Sequence, residues 1–269
     1  MTQPTGTSAA DTAAPQATSL YVYGVIPAAD AGGWPGAAGV GGPSAQVSTI
    51  AAGELAALVS ALPPDRTPGL REDLEAHRQV LSLATERGTV VPIRFGMVMD
   101  GEDGVRERLL ARHGAELTEL LRAVDGQVQM TVRGFYAEDA LMRAVVEADP
   151  EIARRSAEIE GVPELESRAE RIALGELVAA AVDTRRERDE QALLDRLRPF
   201  ATDIRVDSPG SERVALNAHL LVPRDGRAAL DEAVRELDTA LQGYMALRYI
   251  GPLPPYSFSE LSLEPEEVA

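Results

Sequence analysis

The sequence contains no cysteine and no lysine, and only 4% of its 269 residues are aromatic. The absence of cysteine excludes disulfides, thiolate metal ligands and cysteine nucleophiles within this chain. All 26 basic residues are therefore arginine, and 43 acidic residues outnumber them to give a net charge of −17. Because aromatics are scarce while 45% of the residues are hydrophobic, we expect an aliphatic core built largely on helices.

Familiar catalytic motifs are also missing. The sequence has no glycine-rich dinucleotide fingerprint, no phosphate-binding P-loop, no nucleophile elbow and no paired-histidine zinc motif. Its three histidines, His77, His113 and His219, are widely separated along the chain. We expect His77 to be a core histidine on the apolar face of its helix, and the sequence predicts no enzyme, no cofactor and no metal site.

Long hydrophobic runs are absent as well. No apolar run approaches the roughly 20 residues that span a bilayer. The first 19 residues lack the positive and apolar regions of a secretory signal. The acidic balance argues against nucleic acid and anionic lipid, which both attract cationic surfaces. We expect a soluble, cytoplasmic protein with no nucleic-acid partner and no membrane insertion.

Composition and periodicity predict two α+β domains between polar ends. Residues 1–19 are predicted to be a disordered tail, and residues 259–269 a frayed acidic tail. We expect an N-terminal α+β domain over residues 20–125 and a C-terminal α+β domain over residues 126–258. The boundary falls at Asp125 and Gly126, a dipeptide typical of turns.

The C-terminal half has the order strand, long helical segment, strand, strand, helix, strand. This is the order of a ferredoxin-like βαββαβ domain, here with a long helical insertion over residues 138–198. The last part of the insertion, from Glu164 to Arg198, is rich in charge and has one apolar stripe. The stripe comprises Leu165, Ala169, Ile172, Ala179 and Val182. Two interpretations remain open: a solvated arm, or a docking groove for a client helix.

In the N-terminal half, alternating residues predict a strand from Val90 to Met99 with Phe95 on its buried face. Arg94 lies on the opposite face. It either pairs with a carboxylate of its own domain or anchors a partner. A helix is predicted from Glu102 to Val124. Its predicted inward-facing residues are Val105, Leu109, Leu117, Leu120 and Val124.

The C-terminal segment from Gly251 to Phe258 is rich in proline. One interpretation is a stiff strap that packs Tyr256 and Phe258 back onto the domain. The other is a docking strand for a partner, since extended proline-rich backbone loses little entropy on binding. We therefore take Pro254, Pro255, Tyr256 and Phe258, together with Arg94 and Phe95, as candidate partner-binding residues.

Three segments resemble the gas vesicle GvpF/GvpL family. They are Tyr21 to Val25 at the start, His77 through Gly88 to Gly96 in the middle, and Gly251 to Phe258 at the end. Together they extend over nearly the whole predicted ordered chain, in the family's order.

The resemblance implies an accessory protein of gas vesicle production with two α+β domains. Members of the family are thought to bind the small, apolar shell subunit of the GvpA type, and other accessory proteins, during nucleation and assembly. Two alternatives stay open. One is a small-molecule-binding or regulatory module on a ferredoxin-like fold, and the other a minor structural component retained in the vesicle shell.

Overall fold

The computed structural model describes residues 19–34, 37–42, 44–63 and 66–261. The tail predicted over residues 1–18 and most of the acidic tail, residues 262–269, lie outside the described residues. Ser19, predicted to end the N-terminal tail, instead begins the first strand. The chain divides into two compact units, one built mainly from residues 19–84 and 92–121, the other from residues 85–91 and 122–260.

The first unit is built on an antiparallel sheet of five strands that differ in length. Its strands are β1 (Ser19–Pro27), β2 (Val47–Ala52), β3 (Leu55–Leu62), β4 (Val91–Pro92) and β5 (Val98–Asp100). The order is β2-β3-β1-β4, and β5 also pairs with β1. β1 is the central strand, and its residues from Leu20 to Ile26 are all buried. Its aliphatic and aromatic composition suits a strand that is covered on both faces.

The predicted strand from Val90 to Met99 is wrong. The segment forms only the two short strands β4 and β5, separated by a turn at Phe95 and Gly96. Gly96 has a φ of +95°, which a residue with a side chain rarely adopts. The backbone still pairs with β1 on both sides of this turn. The amide of Ile93 donates to the carbonyl of Tyr23, and the amide of Val22 donates to the carbonyl of Met97.

Helix α1 (Arg71–Arg87) forms where it was predicted. The next predicted helix, Glu102 to Val124, is instead interrupted. It consists of α2 (Gly101–Asp103), a π-helical stretch (Gly104–Ala111) and α3 (Gly114–Ala123). The wider π turn changes which side chains face inward, so Leu110 and Leu121 are buried while Leu120 is only half-buried.

The second unit contains a four-stranded antiparallel sheet. Its strands are β6 (Gln127–Tyr136), β7 (Asp203–Val206), β8 (Val214–Pro223) and β9 (Met245–Leu253), in the order β7-β8-β6-β9. One sheet face carries Val128, Met130 and Val132 into an aliphatic core. The other face carries polar residues such as Thr131 and His219, which are register partners.

Four helices complete the second unit. They are α4 (Ala140–Ala148), α5 (Pro150–Glu158), α6 (Arg168–Leu197) and α7 (Arg227–Ala240). Helix α7 and the C-terminal end of α6 cover the apolar sheet face, with Leu193, Leu197 and Leu230 buried in the core. Within the described residues, no helix is both long enough and apolar enough to cross a membrane.

Candidate docking surfaces

The helical insertion, helices α4 to α6, buries little of its apolar surface. Helix α5 begins at Pro150 after Asp149, whose carboxylate accepts hydrogen bonds from the amides of Glu151 (2.9 Å) and Ile152 (3.4 Å). Ile152 is the only fully buried residue of α5. In α6 the fully buried residues are confined to its last turns. The N-terminal two-thirds of α6 therefore rests on α4 and α5 without a core of its own.

A groove of about 620 Å³ runs between α6, the start of α4 and the end of β6. Its apolar wall is formed by Leu141, Met142, Gly175, Val178, Ala179 and Val182. Its charged rim is formed by Glu138, Asp139, Asp183, Glu212, Arg186 and Arg213. On the other side of α6 a second cleft of about 330 Å³ separates it from α4. Two gaps therefore border α6 within the insertion.

Two residues of the groove have unusual conformation or exposure. Met142 is 46% exposed, although a side chain of this type is usually buried. Asp139 has a φ of +56° and is the only described residue other than glycine with a positive φ. Backbone strain of this kind is found preferentially at functional sites. The groove therefore combines an apolar wall with a strained backbone position at its rim.

A half-buried carboxylate links α6 to the sheet next to this groove. Asp189 accepts hydrogen bonds from Tyr136 (3.1 Å) and Tyr244, and forms an ion pair with Arg185 (3.0 Å). Burial, and then the nearby Asp189, raise the pKa of both tyrosines, so their hydroxyls stay protonated as donors. The Arg185 guanidinium also lies over the Tyr244 ring, 5.0 Å from its centroid.

Most of the apolar stripe predicted for the Glu164 to Arg198 segment is exposed. Ile172 is 56% exposed and Leu165, which lies before α6, is 92% exposed. The half-buried side of the helix instead includes Leu174, Leu177 and Val178. Of the predicted stripe, Ala179 and Val182 line the groove. The sequence missed Met142, Asp189 and the two tyrosines, since no periodic pattern in α6 identifies residues contributed by other elements.

The predicted residues Arg94 and Phe95 lie at the turn between β4 and β5 in the first unit. Arg94 is exposed and Phe95 is half-buried. The Phe95 ring lies edge-on to His77, with a centroid distance of 5.6 Å. His77 is fully buried, and its Nδ1 lies 2.9 Å from the hydroxyl of Tyr21. Burial lowers the pKa of His77 to about 4, so at neutral pH it is an uncharged core residue.

The other predicted residues lie in the strap of the second unit. Pro254, Pro255 and Phe258 are buried, whereas Tyr256 is 40% exposed. Phe258 packs with Val124 and Leu221. The strap is further held by the amide of Ser257, which donates to Oε1 of Gln129 at 2.9 Å. The predicted packing of Phe258 is therefore present, while Tyr256 remains partly exposed. These four residues and the Arg94 turn belong to different units, each with its own candidate surface.

The arrangement of the described residues offers surfaces for contact. Among them no three histidine, aspartate or glutamate side chains are grouped so that they could hold a metal ion. The described residues form a two-unit α+β protein with two antiparallel sheets and a grooved helical insertion.

Known proteins are similar to this chain in both sequence and fold. Residues 19–260 match the family described as gas vesicle synthesis protein GvpL/GvpF. Gas vesicle protein F of Streptomyces sp. (strain CB03234) is 37% identical over 244 residues, which cover 90% of this chain and 100% of that protein. The chain therefore belongs to the GvpL/GvpF family of gas vesicle proteins.

Solved structures agree with this assignment. The crystal structure of GvpF from Anabaena sp. PCC7120 matches with a TM-score of 0.80 at 25% sequence identity, covering 91% of this chain and 100% of that one. The crystal structure of GvpF from Microcystis aeruginosa matches with a TM-score of 0.73 at 26% identity and the same coverage. The two antiparallel sheets are thus an architecture found in gas vesicle proteins.

Proposed function

We propose that this chain acts in the cytoplasm as an assembly factor for gas vesicles, binding an apolar helical segment of the shell subunit in the α4–α6 groove. The observation that carries this proposal is the groove itself. Its wall is apolar, its volume of about 620 Å³ suits a few inserted side chains, and Met142 is exposed at its margin. Helices of partner proteins commonly bind through such grooves by a few apolar anchors.

The acidic surface supports this role. A net charge of −17 keeps copies of the protein apart. When an aggregation-prone apolar segment is held in the groove, the complex keeps most of this charge and resists association. The groove rim is itself mainly acidic, with Glu138, Asp139, Asp183 and Glu212 against two arginines.

The remaining candidate residues are proposed as contacts for other accessory proteins of gas vesicle production. Arg94 and Tyr256 are exposed and can reach a partner directly. Phe95, Pro254, Pro255 and Phe258 are half-buried or buried, so their role would be to fix the backbone that presents those two side chains.

The second unit is proposed to be a ferredoxin-like domain with an enlarged first crossover. Support comes from its element order and from the strand order β7-β8-β6-β9, in which every neighbouring pair is antiparallel. We also propose that the domain boundary lies near residue 125. The turn there contains Gly126 with a φ of +66°, and the second unit resumes at Arg122.

The proposal is tested by co-expressing the chain with a gas vesicle shell protein and analysing the soluble fraction by pull-down and size-exclusion chromatography. We expect the shell protein to become soluble and to co-elute. The variant Met142→Asp places a charge in the groove wall and should abolish co-elution. Ile172→Asp is the matched control, because Ile172 is also an exposed apolar residue of the insertion but does not line the groove.

Each outcome has a distinct meaning. If the shell protein stays insoluble with the unmodified chain, direct binding by this protein is wrong. If Met142→Asp and Ile172→Asp both co-elute with the shell protein, binding occurs but the groove is not its site. Circular dichroism of both variants establishes that each remains folded.

A further inference from the structure

The polar face of the second sheet carries two arginines opposite each other on neighbouring strands. Arg133 of β6 and Arg248 of β9 are direct register partners, and both are exposed. Directly opposed side chains in an antiparallel pair have Cβ atoms about 5 Å apart, and like charges in that position destabilise the pair. Two cations are thus held together on a protein whose net charge is −17.

The partners of these arginines are uncharged. Nε of Arg133 donates to Oδ1 of Asn217 at 2.8 Å. The guanidinium of Arg248 lies over the ring of Phe135, 5.7 Å from its centroid. In the described part of the chain, neither arginine forms an ion pair with a carboxylate. Their charges are therefore available to an anion from outside the chain.

We propose that Arg133 and Arg248, here called the arginine pair, bind an acidic segment of a partner protein in an extended conformation. Guanidinium groups recognise carboxylates through paired hydrogen bonds, so two adjacent ones favour Asp or Glu as the central residue. A protein segment is favoured over nucleic acid because the net charge of −17 repels a polyanion, whereas a short segment carries little charge.

The residues next to the arginine pair indicate which side chains should flank the acidic residue of the partner segment. Phe135 lies two residues from Arg133 along β6, and Ile250 lies two residues from Arg248 along β9, on the opposite side of the pair. Phe135 is half-buried and Ile250 is 42% exposed. Successive residues on one side of an extended chain are about 7 Å apart. A segment with an acidic residue flanked two positions away on each side by apolar residues therefore matches the surface.

The edge of the sheet is a poorer site for the same segment. β9 is an edge strand of the described sheet, and strand addition would use its outward-facing amides. The amide of Leu247 already donates to Oδ1 of Asp238 on α7, at 2.8 Å. This contact occupies part of the edge, so the face with the arginine pair remains the better surface.

The test is an NMR titration of the full chain with the capped peptide Leu-Ser-Glu-Ser-Leu at low salt. We expect amide shifts on β6 and β9 around the arginine pair, and much smaller shifts with the peptide in which glutamine replaces glutamate. The double variant Arg133→Gln/Arg248→Gln should weaken binding about tenfold. Arg196→Gln, at an exposed arginine of α6, should bind as the unmodified chain does.

Several results would overturn the proposal. These are no binding by the unmodified chain, equal binding of the glutamine peptide, and equal binding by the double variant. Tighter, arginine-dependent binding of an oligothymidylate would make the occupant a nucleic acid.

We also expect the double variant to have a Tm at least as high as that of the unmodified chain, since an opposed like-charge pair is removed. A clearly lower Tm would assign the pair a structural role. The proposal stands on a surface separate from the groove, so its failure leaves the groove hypothesis unaffected.

Discussion

At the scale of single residues, the hydroxyl of Tyr23 is closely surrounded in the first unit. This hydroxyl accepts a hydrogen bond from the amide of Val40 at 2.6 Å and lies 2.8 Å from Oγ of Ser60. A Cβ added at Gly39 would lie 2.6 Å from the same hydroxyl. Gly39→Ala should therefore lower the free energy of unfolding by about 1–3 kcal/mol, as overpacking does. Urea denaturation measures this change.

Gly69→Ala is the control for that experiment. A Cβ at Gly69 would meet nothing within 4 Å, and the hydrogen bond from its backbone amide to Oδ2 of Asp73 would be kept. We expect no loss of stability in this variant. If the two alanine variants were equally stable, the close approach at Gly39 would not constrain the fold.

His77 gives the first unit a defined dependence on pH. Its pKa is about 4 in the folded chain and about 6.5 when unfolded, because burial disfavours the charged form. Above pH 6.5 it has no effect on stability. As the pH falls from 6.5 towards 4, the unfolded chain binds a proton that the folded chain does not, and stability falls by up to about 1.4 kcal/mol per pH unit.

The measurement is urea denaturation at pH 7.5 and pH 5. Between these values His77 should contribute a loss of about 2 kcal/mol in the unmodified chain. His77→Gln cannot titrate but can still accept a hydrogen bond from Tyr21, so it serves as the matched variant. It should lose about 2 kcal/mol less than the unmodified chain over the same interval. Parallel losses in the two proteins would contradict the assignment.

At the scale of elements, Asp189 adds a polar link between α6 and the sheet to the apolar packing of its last turns. Asp189→Asn removes the charge that pairs with Arg185 and weakens the acceptor of two tyrosine hydroxyls. We expect a loss of about 1–3 kcal/mol in the free energy of unfolding and faster hydrogen exchange along α6. Asp195→Asn, at an exposed carboxylate of the same helix, should change neither quantity. Unchanged exchange in Asp189→Asn would show that packing alone holds the helix.

Most elements of this fold could be predicted from the sequence, but some of their details could not. Helix α1, strand β6 and helix breaks near Pro150 and Gly161 follow from periodicity and from proline and glycine. The turn at Gly96 was missed because alternation continues through it. The π-helical stretch was missed because a 3.6-residue period assumes an uninterrupted α-helix.

The candidate surfaces were harder to predict than the elements. Helix α6 is rich in alanine, so apolar residues occur on several of its sides, and the buried side depends on where α4 and α5 lie. The groove combines residues from β6, α4 and α6, and the arginine pair depends on the register of β6 with β9. Such groupings follow from tertiary structure, which no single stretch of sequence contains. The role of Arg94 and Tyr256 stays a prediction.

At the scale of the whole molecule, the chain combines a strongly acidic charge with two different candidate surfaces. Salt acts on them in opposite ways. The Debye length is about 10 Å at 0.1 M salt and about 3 Å at 1 M, so exposed charges largely cease to interact at high salt. Burial of apolar surface does not weaken under these conditions. The two surfaces should therefore be separable by a single change of solvent.

Raising NaCl from 0.05 M to 0.5 M should weaken binding of the acidic peptide several-fold, because its contact with the arginine pair is electrostatic. The double variant Arg133→Gln/Arg248→Gln is the control and should show little salt dependence. Co-elution of the shell protein should persist at the higher salt, since the groove wall is apolar. If the shell protein dissociated as salt increased, charge rather than the groove would hold the complex, and the acidic rim would become the surface to alter.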